Sequence, residues 1–228
     1  MTDLKDRHVV ITGGLGGLGI EVVRILLERG ATCHVVVRSP ATDETLAFAH
    51  GDRFRTIPVD ATDEAAVSAF YASLPSLWAS VHLAGGFAMA PITETPLQIF
   101  RAQLDINLVT AFLCCREAVR KMSGGGRIVN VTARPALSPT GGMLAYSTAK
   151  AGIASLTQCL AEEVKARGIL VNAIVPSIID TPPNRANMPK ADHSLWPKPA
   201  EIAETIAFLV SPKNRLTSGA LVPVYGRA

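Results

Sequence analysis

The strand-length runs of this chain are apolar on nearly every residue. They lie at His8–Thr12, Cys33–Val37, Phe54–Val59, Ala79–Leu83, Arg127–Thr132, Ile169–Val175 and Ala220–Val224. A strand with one wet face alternates apolar and polar side chains, whereas a strand that is apolar on both sides needs cover on both faces. The runs are separated by stretches of helical period. The first is Leu18–Arg29, with Leu18, Val22, Ile25 and Leu26 on or beside one face. The others are Asp63–Ser73, a long helix from about Pro96 to Met122, Met143–Arg167, and a helix near Ala200–Val210. Glycine tolerates the left-handed cap conformation, so Gly124-Gly125-Gly126 is expected to end the long helix and Gly168 the one after it. This order predicts an α/β fold: a doubly wound parallel sheet of about seven strands with helices on both faces.

The chain has 228 residues, 48% of them hydrophobic and 18% charged, which suits a full core and excludes a disordered or fibrous chain. No linker or repeat divides it, so residues 1–228 read as a single domain. Pro182, Pro183, Pro189, Pro197 and Pro199 cluster in one irregular insert, read as a substrate lid at about 182–199. The net charge is +3 and the 22 basic residues are scattered, so neither a nucleic acid nor a membrane is an expected partner. No apolar run reaches the ~18–20 residues of a membrane span, and the polar start, Met1 to Arg7, carries no signal-peptide pattern. Cys33, Cys114, Cys115 and Cys159 lie in apolar stretches without metal-ligand spacing, so no metal site is expected. A reduced, cytoplasmic protein acting on a small molecule is the expectation.

Thr12-Gly13-Gly14-Leu15-Gly16-Gly17-Leu18-Gly19 lies between the first strand and the first helix. Glycines there let the backbone approach a pyrophosphate, and the helix N-terminus offers unpaired N–H groups and the positive end of its dipole. The pattern is that of a Rossmann-like dinucleotide site. An acid at the tip of the second strand would bind the NAD ribose, and an arginine suits the 2′-phosphate of NADP. The sequence reads Val36-Val37-Arg38-Ser39, which favours NADP(H) and leaves NAD(H) open, although Arg38 is equally an ordinary surface residue. Asp60, followed by Ala61 after the third strand, suits an adenine amino group or simply a turn.

Tyr146 and Lys150 lie four residues apart, hence on one helix face. A free tyrosine titrates near about 10. A neighbouring ammonium is expected to stabilise the phenolate and give a usable general acid/base.

With these residues in view, the chain resembles the short-chain dehydrogenase/reductase family over essentially its whole length. The resemblance rests on Thr12-Gly13-x3-Gly17-x-Gly19, Asp60, Ala84-Gly85-Gly86, Asn107, Tyr146-x3-Lys150 and Pro176…Thr181. It implies NAD(P)(H)-dependent hydride transfer and a dinucleotide held by Gly13, Gly14, Leu15, Gly17, Leu18, Gly19, Arg38, Asp60, Ala61, Ala84, Gly85, Gly86, Tyr146, Lys150, Pro176, Ile179 and Thr181. It further implies that Lys150 also holds the nicotinamide ribose, that Asn107 organises a proton relay, and that Thr181 contacts the carboxamide. Family habit implies a homodimer or homotetramer through the long helices.

Two departures stand out. His82-Leu83-Ala84-Gly85 replaces the family's usual Asn-Asn-Ala-Gly, and Ala133 stands where a serine usually donates to the substrate carbonyl. Thr132 points to the opposite strand face, and Ser138 substitutes only if its loop folds back. Thr132-Ala133-Arg134-Pro135-Ala136-Leu137 and the stretch Pro176 to Trp196 resemble dihydropteridine reductases, which also carry alanine at that position. A quinonoid dihydropterin is a ring imine that needs no serine-polarised carbonyl, and Phe87 is placed to stack on a flat ring. Arg38 and Asn107 depart from that subgroup. Carbonyl/alcohol substrates and a dihydropterin therefore both stay open, with Phe87, Ala133, Arg134, Arg185 and Trp196 as substrate-side candidates. A catalytically silent NADP(H)-binding sensor is the alternative function. His82 reads as a satisfied half-buried histidine before a catalytic one.

Overall fold

The computed structural model describes residues 2–38 and 51–228. Seven strands form one parallel sheet: β1 (His8–Thr12), β2 (Thr32–Val37), β3 (Phe54–Pro58), β4 (Ala79–His82), β5 (Gly126–Val131), β6 (Ile169–Pro176) and β7 (Leu221–Val224). Their order is β3-β2-β1-β4-β5-β6-β7, the doubly wound arrangement expected from the apolar runs. Within the sheet Val9 pairs with Cys33 and Ala79, and Val129 with Val81 and Asn172.

Strand periodicity divides the core. Val9, Ile11, Val35, Val81, Val129 and Ile174 face α1 (Gly19–Glu28) and α8 (Pro199–Val210), which add Val22, Leu26, Ile202 and Ile206. Val10, Val36, Ile128 and Val171 face the other way, toward α2 (Glu64–Ser73), α4 (Thr110–Lys121) and α6 (Leu144–Val164). Both faces are covered, and the strand C-terminal ends, where ligands bind in such sheets, converge on the residues after β1, β4 and β5.

Three local expectations change. The long helix from about Pro96 to Met122 is not uniform: α3 (Leu97–Gln103) passes through a π-helical turn, Leu104–Val109, before α4. Side chains hold that turn, because Asn107 Nδ2 donates to the Gln103 carbonyl at 3.0 Å and Thr110 Oγ1 to the Ile106 carbonyl at 2.9 Å. The helix then stops at Lys121 with Met122 in an extended conformation, before the three glycines. Gly125 instead takes φ +80° beside the Gly168 carbonyl, which a Cβ at 125 would approach to 3.0 Å. Gly168 does close its helix in the left-handed conformation, with φ +69°. Finally, the proline-rich segment is partly ordered as α7 (Pro182–Asn187). Its prolines occupy the first helical positions behind the capping hydroxyl of Thr181, and a 3₁₀ turn follows at His193–Leu195.

Ile174 of β6 is fully buried among these residues. Ile174→Ala is expected to lower unfolding stability by about 2–5 kcal/mol in urea titrations, because the sheet-helix layer relaxes only partly into the space left.

Candidate active site

The loops after β1 and β4 are stitched together by Thr12. Its carbonyl accepts from Leu83 N at 3.1 Å and its hydroxyl from Ala84 N at 3.2 Å. Gly13 turns beside them with φ +67°, where a Cβ would lie 2.8 Å from Ala84 N. Gly14 leaves no room either, a Cβ there falling 2.7 Å from Val35 Cγ1, and Gly19 packs on the Gly13 carbonyl. Leu18 begins α1 without a side-chain cap, so the helix N-terminus is left for an exogenous acceptor. A backbone-lined cradle with a free helix start fits a dinucleotide pyrophosphate. Leu15 stands partly exposed on the turn and packs against the α1-side core, as does Ile179 beyond β6, while Pro176 ends that strand buried. A Cβ on Gly17 would meet Thr181 Cγ2 at 2.8 Å, which brings the start of the 182–199 segment onto the glycine turn.

Arg38 is exposed just past β2, and Ser39 lies outside the described residues. Asp60 is exposed and in a turn, accepting from Thr62 N at 2.9 Å and Thr62 Oγ1 at 2.7 Å, with Ala61 beside it. Those bonds, aided by the Arg38 charge, hold its carboxyl below the usual range.

Asn107, on the π turn, is fully buried. Its Oδ1 accepts from Gly86 N at 3.2 Å and its Nδ2 donates to the Gly86 carbonyl at 3.0 Å. Gly85 is squeezed beneath it: a Cβ would lie 2.6 Å from Asn107 Oδ1 and 3.4 Å from Lys150 Nζ. The structure thus gathers Asn107, Lys150 and the Ala84-Gly85-Gly86 turn around one point. Lys150 Nζ donates to the Val131 carbonyl at 2.9 Å, and the Lys150 carbonyl accepts from Thr132 Oγ1 at 2.6 Å.

The expected lowering of the Tyr146 phenol is not what the site shows. Burial pushes it up to about 12, and burial pushes Lys150 down to about 8. The ammonium lies 5.8 Å from the Tyr146 ring centroid, and its hydrogen bond goes to the Val131 carbonyl.

Phe87 meets Tyr146 edge-on, ring centroids 5.0 Å apart, and is 59% exposed, so it stands open at the mouth. Ala133 is buried. Thr132 is engaged by Lys150 as described, and Ser138 is exposed at the end of α5 (Arg134–Leu137), so neither replaces the missing serine. Arg134 lies over the Tyr225 ring and donates to the Ala228 carbonyl at 2.8 Å. Arg185 grips Asp180 with two bonds of 2.5 and 2.8 Å, so its guanidinium serves that pairing. Trp196 is buried and packs on His193, with centroids 4.6 Å apart. It packs within the 182–199 segment and does not stand open to a substrate. His82 is buried and fully hydrogen-bonded, more deeply than the sequence implied.

One feature escaped sequence reasoning. A cavity of about 230 Å³ lies between Ala88–Ala90, Glu94–Pro96, Ile99, Gly142 and Ala145, next to Tyr146 in the chain. Its signal was the apolar run Phe87-Ala88-Met89 in a loop, where such side chains have no core to enter. Among the described residues no cluster of three or more His, Cys, Asp or Glu could hold a metal, and no helix is long and apolar enough to cross a membrane.

Residues 7–192 match the family model described as short chain dehydrogenase. The chain belongs to the short-chain dehydrogenase/reductase family. As a member it is an NAD(P)-dependent oxidoreductase. It is 35% identical to the cis-4-hydroxycyclohexanecarboxylate dehydrogenase of Sinomonas cyclohexanicum, covering 97% of this chain and 96% of that protein. It is 30% identical to a 3-oxoacyl-(acyl-carrier-protein) reductase of Rickettsia bellii (strain RML369-C), covering 99% and 98%. A short-chain type dehydrogenase/reductase of Mycobacterium ulcerans superposes with a TM-score of 0.88 at 28% identity, over 98% of this chain and 90% of that one.

In this candidate site the folded chain releases the Lys150 proton at about 8, whereas an unfolded lysine holds it to its ordinary value of 10.5. Between these values the unfolded state binds more protons, so stability rises with pH; below them the burial cost is borne in full. The stability of the parent relative to Lys150→Met is therefore expected to climb from pH 8 to 10.5 and to be flat below pH 7, measured by urea unfolding. A flat difference throughout would mean that the ammonium is not desolvated.

Proposed function

We propose that this chain reduces a small carbonyl or ring-imine compound, or oxidises the corresponding alcohol, with Tyr146 as the general acid/base. The observation carrying this reading is the convergence of Asn107 and Lys150 on Gly85, with Tyr146 one helical turn before Lys150 and the glycine cradle alongside. The cradle would hold the dinucleotide through Gly13, Gly14, Leu15, Gly17, Leu18, Gly19, Pro176, Ile179 and Thr181, with Asp60 and Ala61 at the adenine end. When bound, the nicotinamide supplies or accepts the hydride. Tyr146 gives its proton to the substrate oxygen or nitrogen on reduction and recovers it on oxidation. Lys150, largely cationic at neutral pH, offsets the phenolate charge, and Asn107 fixes the Gly86 backbone beside them. Exposed Arg38, with no acid at the β2 tip, supports NADP(H) over NAD(H).

On the substrate side, Phe87 and the cavity beside Ala145 form an apolar wall suited to a ring. The relative from Sinomonas cyclohexanicum is named for a hydroxylated cyclohexane carboxylate. That supports a small secondary alcohol or its ketone, with Arg134 at the mouth for an anionic group. Ala133 keeps the dihydropterin reading alongside it, since a ring imine needs no serine donor. The 182–199 segment serves as the lid. Exposed Phe112 on α4 and Phe208 on α8 agree with a homodimer or homotetramer, and the four free cysteines with the cytoplasm. The same Ala133 carries the second reading, an NADP(H)-binding sensor without turnover.

Turnover assays with NADPH and NADH against ketones, secondary alcohols and a quinonoid dihydropterin separate these readings. Activity is expected with NADPH preferred, and a loss of about 10²–10⁴-fold in kcat for Tyr146→Phe. Nucleotide binding without turnover of any substrate would leave the sensor. Ala133→Ser is expected to raise ketone turnover by about a hundredfold if the missing hydroxyl limits it; an unchanged rate would mark a substrate that needs no such donor.

A further inference from the structure

Below the active site a single buried chain of side chains crosses four elements. Tyr71 OH of α2 lies 2.8 Å from Ser80 Oγ of β4, which lies 2.8 Å from His82 Nε2 on the same strand. His82 Nδ1 lies 2.7 Å from Asn130 Oδ1 of β5, and Asn130 Nδ2 lies 2.9 Å from Thr157 Oγ1 of α6. Thr157 Oγ1 donates in turn to the Ile153 carbonyl at 2.8 Å. All five side chains are buried.

From the far end, the protons of this chain take one consistent order. Thr157 gives its only hydroxyl proton to the Ile153 carbonyl, so it must accept from the Asn130 amide nitrogen. Asn130 Oδ1 therefore faces His82, where it also receives the Cys115 thiol at 3.5 Å. An oxygen acceptor at 2.7 Å requires a proton on His82 Nδ1. Burial holds the ring neutral, pushing its pKa down to about 4. Nε2 is then bare and accepts from Ser80, whose oxygen accepts from Tyr71. Reversing any one bond leaves a buried donor or acceptor without its partner.

This chain ends on the machinery. Asn130, Val131 and Thr132 each bond α6 in succession: Asn130 reaches Thr157, the Val131 carbonyl takes Lys150 Nζ, and Thr132 Oγ1 takes the Lys150 carbonyl. His82 in turn leads directly into Leu83 and Ala84, which bond Thr12, and into Gly86, which Asn107 clamps. We infer that His82, held as its neutral Nδ1–H tautomer, is a positioning residue: by bracing Asn130 it sets the place of α6, and with it Lys150 and Tyr146, against the β4 turn. The kinetic part of this inference rests on the proposed oxidoreductase reading; the placement of Lys150 does not.

The test follows Lys150 directly, by ¹³Cε NMR titration, next to imidazole ¹⁵N spectra and steady-state kinetics of full-length protein. In the parent, His82 is expected to appear as the Nδ1–H tautomer across pH 5–8, and Lys150 to titrate near about 8. His82→Leu removes the brace, so water reaches the ammonium. Its midpoint is expected to rise by about one pH unit and kcat to fall at least about tenfold, with KM nearly unchanged. His82→Asn puts an amide donor about where Nδ1 sits and is expected to restore the parent midpoint and most of kcat. Thr157→Val breaks the far end with little change of shape. It is expected to move the midpoint in the same direction, which keeps the test readable if His82→Leu does not fold. An Nε2–H tautomer in the parent, or a Lys150 midpoint unmoved in both His82→Leu and Thr157→Val, would overturn the inference. A parent without turnover but with the predicted Lys150 shifts would overturn only the catalytic reading.

Discussion

An ammonium group taken out of water has to be given something in return, and here Lys150 receives one backbone carbonyl, that of Val131. A single neutral acceptor does not replace a hydration shell, which is why the lysine titrates so far below its ordinary value. The neighbourhood is arranged around that deficit. Thr132 holds the backbone of the same lysine, Asn107 closes the side toward Gly85, and Gly85 itself has no side chain because the space is already taken. The candidate site thus holds a cation where burial alone disfavours one.

The fold was largely legible because its signal is repeated. The central apolar runs ask for cover on both faces, which a parallel sheet between helix layers gives, while the edge strands β3 and β7 are only half-buried. The glycine turn was legible for a different reason: Gly13 and Gly19 stand where any Cβ meets backbone, a demand that only one residue type meets. The π turn at Leu104–Val109 was not legible. Its cause is a side chain folding back on the helix that carries it, and periodicity averages over such events. The short helix at Pro182–Asn187 was hidden by its prolines, which break a helix from within yet begin one readily when a threonine caps it.

The site residues divide in the same way. Tyr146 and Lys150 were candidates by spacing and residue type and Asn107 by resemblance, and the structure gathers Lys150 and Asn107 on Gly85. Their electrostatics did not: the sequence places an ammonium near a phenol, but only the packing says that the ammonium is turned to a carbonyl and that both groups are desolvated. Arg134, Arg185 and Trp196 looked alike as substrate-side candidates and differ in structure, since Arg185 is taken by Asp180, Arg134 lies over Tyr225 and Trp196 is buried. Residue type gives reach and charge; partners decide whether either is available.

Gly17 and Thr181 are more than 160 residues apart in the chain, yet their atoms are in contact. The segment that follows Thr181 is therefore not a module standing apart from the glycine turn but a continuation of its surface. A graft that imports a different segment with its own residue at 181 brings a new side chain against Gly17, and a bulkier residue at 17 pushes on Thr181 in turn. Changes at 17 and at 181 are for that reason felt together, at one contact, however far apart they stand in the chain.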